Sequence, residues 1–133
     1  MDDLYTDSAK RVMAIAQEQA NYFRHQAIGT EHLLLALTIE DKGVAGQVLK
    51  QAMVTPSDVR REIERLAGYG NLLRQSPSNY LPYSPKAKAV LDETRKQAFL
   101  TGAVRIGTEH FLLALLSDED ILSSRILTSL HVD

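Results

Sequence analysis

The sequence contains no cysteine and no tryptophan, and its 133 residues carry a net charge of only −2. Without cysteine, disulfides, thiolate metal sites and a thiol nucleophile are excluded, and the composition fits a reducing compartment. Because lysine and arginine are scattered along the chain, no basic surface is predicted that could hold a nucleic-acid backbone. The sequence therefore predicts a protein that does not bind nucleic acid.

Long apolar runs and a nucleotide-binding motif are also missing. No run approaches the roughly 18 apolar residues of a transmembrane helix. The opening Met1-Asp2-Asp3-Leu4 is acidic, whereas a signal peptide begins with basic residues. We therefore expect a cytoplasmic protein with no membrane contact. The P-loop pattern G-x-x-x-x-G-K-[ST] does not occur, which predicts no nucleotide cofactor in this chain.

The most informative feature is an internal repeat. Residues 5–55 align without a gap on residues 83–133, with 17 identical pairs among 51, whereas unrelated segments would match at roughly one position in fifteen. The identities concentrate in two motifs, I-G-T-E-H (28–32 and 106–110) and L-L-A-L (34–37 and 112–115). The chain is therefore predicted to contain two copies of one structural unit.

Each copy is predicted to be helical. Apolar residues follow Thr6 at helical spacing, and Ser84 opens the equivalent helix of the second copy. Thr30 and Thr108 are predicted to cap the next helices, which are apolar nearly all round and so are expected to be central. A short helix follows, and Thr55 opens a fourth helix in the first copy only. The predicted fold class is all-α, with about four helices in one repeat and three in the other, related by a pseudo-twofold axis.

The predicted domain organisation follows from the repeat. Repeat one spans residues 4–68, an exposed connector rich in Ser, Pro, Asn and Gly spans 69–83, and repeat two spans 84–133. Repeat two ends where the fourth helix would begin, so we interpret the chain as an excised piece or a short form that lacks its last helix. This length predicts one compact domain, which we expect to be a monomer.

The doubled unit, I-G-T-E-H-L-L-L-A-L and I-G-T-E-H-F-L-L-A-L, resembles the N-terminal repeat domain of Clp-family AAA+ unfoldases, most closely the ClpC type. The resemblance covers nearly the whole chain, although the acidic Met1-Asp2-Asp3-Leu4 replaces an apolar and basic opening. It implies a domain that sits above an ATPase ring, receives MecA-type adaptors and passes substrates toward the ClpP protease. In ClpC relatives the domain also binds phosphorylated arginine. ATP and Mg²⁺ would belong to ATPase modules that this sequence lacks.

By the resemblance, Glu31 and Glu109 match the glutamates that bind phosphoarginine, with Thr30 and Thr108 beside them. A carboxylate in a first turn can accept paired N–H bonds from a guanidinium, or it can simply complement the helix dipole. Because a carboxylate repels phosphate, backbone N–H groups at helix starts are the predicted phosphate donors. The candidates are Thr6, Asp7 and Ser8 in one repeat and Ser84, Pro85 and Lys86 in the other. The duplication predicts equivalent surroundings for the two glutamates.

Two other functions stay open. His32 and His110 each follow a glutamate, which suggests a small metal-dependent hydrolase. However, adjacent helical residues point about 100° apart and the HExxH spacing is missing, so no metal is predicted. The other alternative is a free-standing short protein that competes for adaptors.

Overall fold

The computed structural model describes residues 4–70 and 80–132. Within those ranges the chain forms seven helices and no sheet, which confirms the all-α prediction with four helices in repeat one and three in repeat two. None of them combines the length and the apolar character needed to cross a bilayer. The helices are α1 (Asp7–Tyr22), α2 (Thr30–Ile39), α3 (Val44–Gln51), α4 (Pro56–Leu66), α5 (Pro85–Leu100), α6 (Thr108–Leu116) and α7 (Leu122–Ser129).

The first helix of each repeat begins at the predicted cap. The hydroxyl of Thr6 accepts the Ala9 N–H at 3.1 Å, and that of Ser84 accepts the Ala87 N–H at the same distance. These bonds satisfy one of the donors that a helix start leaves without an internal partner. The buried stripes that follow are equivalent at the repeat spacing: Ala9, Val12, Ala16 and Ala20 on α1, and Ala87, Val90, Thr94 and Ala98 on α5.

The second helix of each repeat lies in the middle of the molecule, as predicted. Helix α2 contacts all six other helices, and residues 33–37 are fully buried. Helix α6 contacts α1, α2, α3, α5 and α7. A helix that is apolar nearly all round is stable only when neighbours cover every side, which explains this position.

The capping prediction for these two central helices is wrong. The N-cap residues are Gly29 and Gly107, and the threonines are the first helical residues. In each case the glycine N–H donates to Nδ1 of the histidine three residues later, His32 or His110, at 2.8 Å. The imidazole therefore satisfies the N–H of the N-cap residue, which is the bond that the third helical residue makes in a capping box.

The threonine hydroxyls join the two repeats instead. Thr30 Oγ1 accepts the Ser123 N–H at 3.2 Å, and Thr108 Oγ1 accepts the Ala45 N–H at 3.1 Å. Each donor lies at the start of a helix of the opposite repeat, and the two threonines are only 3% and 2% exposed. That these two threonines contact a ligand stays a prediction. The burial of their side chains opposes it.

The connector is described only at its ends. Residues 71–79 of the predicted connector 69–83 lie outside the described residues. Tyr80 is 90% exposed, and Tyr83 forms a bridge with Ile28 of repeat one. The boundaries of the repeats and connector stay predictions.

Candidate functional site

Glu31 and Glu109 occupy matching positions in the first turns of α2 and α6, and both side chains are half-buried. Each carboxylate folds back over the N-cap glycine. A Cβ atom on Gly29 would lie 2.1 Å from Glu31 Oε1, and one on Gly107 would lie 2.2 Å from Glu109 Oε1. A side chain at either glycine would therefore displace the glutamate carboxylate from this position, a role the sequence analysis missed although both copies of the motif contain the glycine.

Each of these helix starts lies beside the first helix of the opposite repeat. The Ile106 N–H donates to the Leu4 carbonyl at 2.8 Å, and the Ile106 carbonyl accepts the Thr6 N–H at 2.9 Å. Ile28 makes the same pair of bonds, at 2.8 and 2.9 Å, with the residues that precede α5. The start of α1 is therefore tied to the segment that leads into α6, and the start of α5 to the segment that leads into α2.

This pairing brings together residues that the sequence predicted separately. The segment that leads to Glu31 is hydrogen-bonded to the start of α5, which contains Ser84, Pro85 and Lys86. The segment that leads to Glu109 is hydrogen-bonded to the start of α1, which contains Thr6, Asp7 and Ser8. We call these the Glu31 site and the Glu109 site. Both sites are built from two repeats, a feature that no pattern within one copy could predict.

The two sites differ in the donors at their helix starts. In the first turn of α1, the N–H groups of Asp7 and Ser8 lie outside the helix's own hydrogen-bond ladder. In α5 only Lys86 offers such a donor, because Pro85 has no N–H. The Glu109 site therefore has one more backbone N–H donor than the Glu31 site, but it also contains the acidic side chain of Asp7. The Glu31 site has fewer donors but contains the basic side chain of Lys86.

Burial raises the pKa of Glu31, against the opposing effects of its own backbone N–H and of the His25 charge. Desolvation penalises the charged form of a carboxylate, whereas hydrogen bonds and positive charges favour it. The direction of the shift means that burial outweighs the favourable position at a helix start. The carboxylate is thus less stable than in water until a cation or an N–H donor reaches it.

A chain of hydrogen bonds runs behind Glu31. Since the Gly29 N–H donates to His32 Nδ1 at 2.8 Å, the proton of the neutral His32 ring must be on Nε2. That atom lies 2.8 Å from His25 Nδ1, and His25 Nε2 lies 2.7 Å from the Gly68 carbonyl. When His25 is also neutral, the bonds run from His32 Nε2–H to His25 Nδ1 and from His25 Nε2–H to the Gly68 carbonyl. Burial, and then the charge of His25, lowers the pKa of His32 to about 3.

His25, Glu31 and His32 also form the one group of possible metal ligands among the described residues, with one atom of each within 4.8 Å of the others. The hydrogen bonds oppose that use. A neutral histidine bound to a metal through Nε2 carries its proton on Nδ1. In His32, Nδ1 faces the Gly29 N–H, so two donors would meet there. We conclude that the two histidines fit a hydrogen-bonded chain beside Glu31 better than a metal centre.

The surroundings of Glu109 are different, so the prediction of equivalent surroundings is wrong. Ala103 stands at the position that corresponds to His25. His110 Nε2 instead lies 3.4 Å from the hydroxyl of Thr101. In repeat one that position is Phe23, whose ring stacks on His25 at a centroid distance of 5.5 Å. The histidine chain and its aromatic cover thus belong to the Glu31 site alone.

Comparisons with known proteins agree with this architecture. Residues 4–130 match the model of the Clp repeat (R) N-terminal domain. The chain is 36% identical over 128 residues to the negative regulator of genetic competence ClpC/MecB of Bacillus subtilis, and 38% identical over 128 residues to ClpC of Staphylococcus saprophyticus. Each alignment covers 96% of this chain and 15% of the relative, so the chain spans a small part of those proteins.

Solved structures show the same fold. The N-terminal domain of ClpD from Arabidopsis thaliana superposes with a TM-score of 0.80 at 21% identity, covering 98% of this chain and 86% of that one. A ClpV N-domain in complex with a VipB peptide superposes with a TM-score of 0.63 at 21% identity, covering 96% and 84%.

Proposed function

Since this chain belongs to the Clp repeat N-terminal domain family, we propose that it is the substrate- and adaptor-binding domain of a ClpC-type unfoldase. It would bind proteins and not transform them, and a MecA-type adaptor is the proposed partner. ATP hydrolysis and delivery to ClpP would belong to the rest of a longer cytoplasmic protein. The ClpV N-domain complex with a VipB peptide supports peptide binding by a domain of this fold.

We further propose that the Glu31 and Glu109 sites each bind a phosphorylated arginine. The observation that carries this proposal is the bridge that ties each glutamate-bearing segment to the start of α1 or α5 in the opposite repeat. A phosphoarginine has a guanidinium and a phosphate joined in one side chain. It therefore needs an acceptor and an anion site close together.

The chemistry assigns a part to each half of the ligand. The Glu31 carboxylate accepts paired N–H bonds from the guanidinium, and charge-assisted bonds of this kind are stronger than neutral ones. The phosphate takes backbone N–H groups at the start of α5, where the helix dipole favours negative charge. Lys86 adds a positive charge there. In the Glu109 site, the N–H groups of Asp7 and Ser8 serve the phosphate.

Calorimetric titration of the purified chain with free phosphoarginine tests this proposal. We expect two sites in the unmodified chain, one in Glu31→Ala, one in Glu109→Ala and none in the double variant. Glu18→Ala is the matched control, because it removes an exposed carboxylate from the middle of α1. Arginine is the ligand control, since it lacks the phosphate. Undiminished binding by a folded double variant would show that the carboxylates are not the acceptors.

A further inference from the structure

A strip of aromatic rings runs from Glu31 to the surface of repeat one. A ring nitrogen of His25 lies within 4.8 Å of a Glu31 carboxylate oxygen, and the same ring stacks on Phe23 at a centroid distance of 5.5 Å. The Phe23 ring contacts Tyr69 at 5.2 Å and Tyr22 at 5.1 Å. Phe23 is fully buried, whereas Tyr22 and Tyr69 are 57% and 45% exposed. What we call the aromatic strip therefore begins beside the proposed guanidinium acceptor and ends in two tyrosines that reach solvent.

Hydrogen bonds hold the two tyrosines in place. The Tyr69 hydroxyl donates to Glu64 Oε2 at 3.2 Å, and the ring centroids of Tyr22 and Tyr69 lie 6.1 Å apart. A hydrogen bond with Tyr22, partial burial and the Glu64 carboxylate together raise the pKa of Tyr69 to about 12, so its phenol stays neutral. Side chains that are already ordered lose little conformational freedom when a ligand binds. The pair is thus suited to binding a ligand.

The charge at the end of the strip indicates what that ligand would be. Arg65, the next residue on α4 after Glu64, donates to Glu62 and Ser129 instead. Among the described residues, Glu64 forms no ion pair. A guanidinium can stack on an aromatic face and pair with a carboxylate at the same time. An arginine side chain therefore complements the tyrosine pair and Glu64 together.

The aromatic strip is confined to repeat one. The positions of repeat two that correspond to Tyr22, Phe23 and His25 hold no aromatic side chain: Leu100, Thr101 and Ala103. Repeat two nevertheless forms the equivalent helix pair, α5 and α6. The shared helical unit therefore does not require these rings.

We propose that the aromatic strip is a second subsite of the Glu31 site, which binds an unmodified arginine of the same substrate near the phosphoarginine. This inference rests on the proposed phosphoarginine binding by Glu31. Each step along the strip is at most 5.5 Å, so its outer end lies within roughly 17 Å of the carboxylate, which an extended chain spans in about five residues. The Glu31 site selects phosphoarginine in basic segments, whereas the Glu109 site binds phosphoarginine without this preference.

Peptide binding to the Glu109→Ala chain, which keeps only the Glu31 site, tests the proposal. One peptide has a phosphoarginine among glycines and serines, and the others add one arginine about two to five residues before or after it. We expect the best of these to bind about three- to tenfold tighter, and lysine in the same place to gain less. Tyr69→Leu and Glu64→Gln should each reduce the gain to less than about twofold and leave the binding of free phosphoarginine unchanged. Tyr22→Phe keeps the aromatic face and should keep most of the gain.

The Glu31→Ala chain is the matched control, because its remaining Glu109 site has no strip and should show no gain from the added arginine. Glu18→Gln, which removes an exposed carboxylate of α1, should leave the gain intact. Circular dichroism checks that the variants are folded. If free phosphoarginine binds but the added arginine gains nothing, or if the gain persists in both Tyr69→Leu and Glu64→Gln, this inference is wrong and the proposed function stands. Absence of free phosphoarginine binding would overturn both.

Discussion

The two repeats share a backbone plan and differ at the places where a ligand or partner would bind. The helices α1 and α5 bury equivalent stripes, and the glycine–histidine bond starts both α2 and α6. Yet His25 lies beside Glu31, whereas Ala103 occupies the equivalent position in repeat two. The helix α4, which packs on α2 and α7, has no counterpart among the described residues of repeat two.

This difference indicates which contacts the duplicated fold needs. The bonds that recur in both copies connect helices or repeats, so they serve folding. Residues around the two glutamates, by contrast, diverge between the copies. Duplication has thus produced two candidate sites with the same acceptor but different electrostatics.

The largest predicted effect concerns the bonds between the repeats. Thr30→Val and Thr108→Val should each cost about 1 to 3 kcal/mol, because each leaves a buried N–H of the opposite repeat without its acceptor. The double variant should lose about 2 to 6 kcal/mol, since the two sites are separate. Urea unfolding measures these values, and Thr128→Val is the exposed control. A loss below about 0.5 kcal/mol in either single variant would contradict the role of the hydroxyls.

The next effect should occur on acidification. Because the pKa of His32 is lowered from 6.5 to about 3, the unfolded chain takes up a proton below about pH 6.5 that the folded chain refuses. Stability should therefore fall as the pH falls from about 6.5 toward 3, by about 2 to 3 kcal/mol at about pH 4.5 from this group alone.

The variant His32→Asn isolates that contribution, because asparagine does not titrate and can still accept the Gly29 N–H. Urea unfolding at neutral pH and at about pH 4.5 should show a loss on acidification that is about 2 to 3 kcal/mol smaller than in the unmodified chain. Equal losses in both proteins would mean that His32 is protonated in the folded state.

A smaller effect is predicted for Glu31→Gln. Since the pKa of Glu31 is raised, the folded chain favours the protonated carboxyl, and ionisation above that pKa lowers stability. The amide removes this cost, so the melting temperature should rise by about 1 to 4 °C at neutral pH, and the gain should vanish near the ordinary carboxyl pKa. Glu18→Gln, an exposed change on α1, should have no such effect. A fall of several degrees at neutral pH would show that the charge chiefly complements the helix dipole.

Local patterns were enough to predict most of the fold. The spacing of apolar residues and the caps at Thr6, Ser84 and Thr55 located three helix starts, and the apolar 33–37 segment predicted the central helix. These features depend on neighbours in sequence, and the repeat supplied the rest of the architecture.

The features that the sequence did not predict all depend on tertiary contacts. Thr30 is a residue type that commonly caps helices, but its hydroxyl accepts the N–H of Ser123, which lies 93 residues away in sequence. His25 carries no motif, and only folding brings its ring against His32. The association of Glu31 with the α5 start likewise required the bridge between Ile28 and Tyr83.

The composite nature of the sites can be measured by following backbone amide signals in nitrogen-15 correlation spectra during a phosphoarginine titration. With Glu31→Ala, the Lys86 amide of the opposite repeat should stop responding, while the Asp7 and Ser8 amides continue to shift. With Glu109→Ala the pattern should reverse. If Glu31→Ala instead silenced the Asp7 and Ser8 amides and left Lys86 responsive, each site would lie within one repeat, and the cross-repeat arrangement proposed for both sites would be wrong.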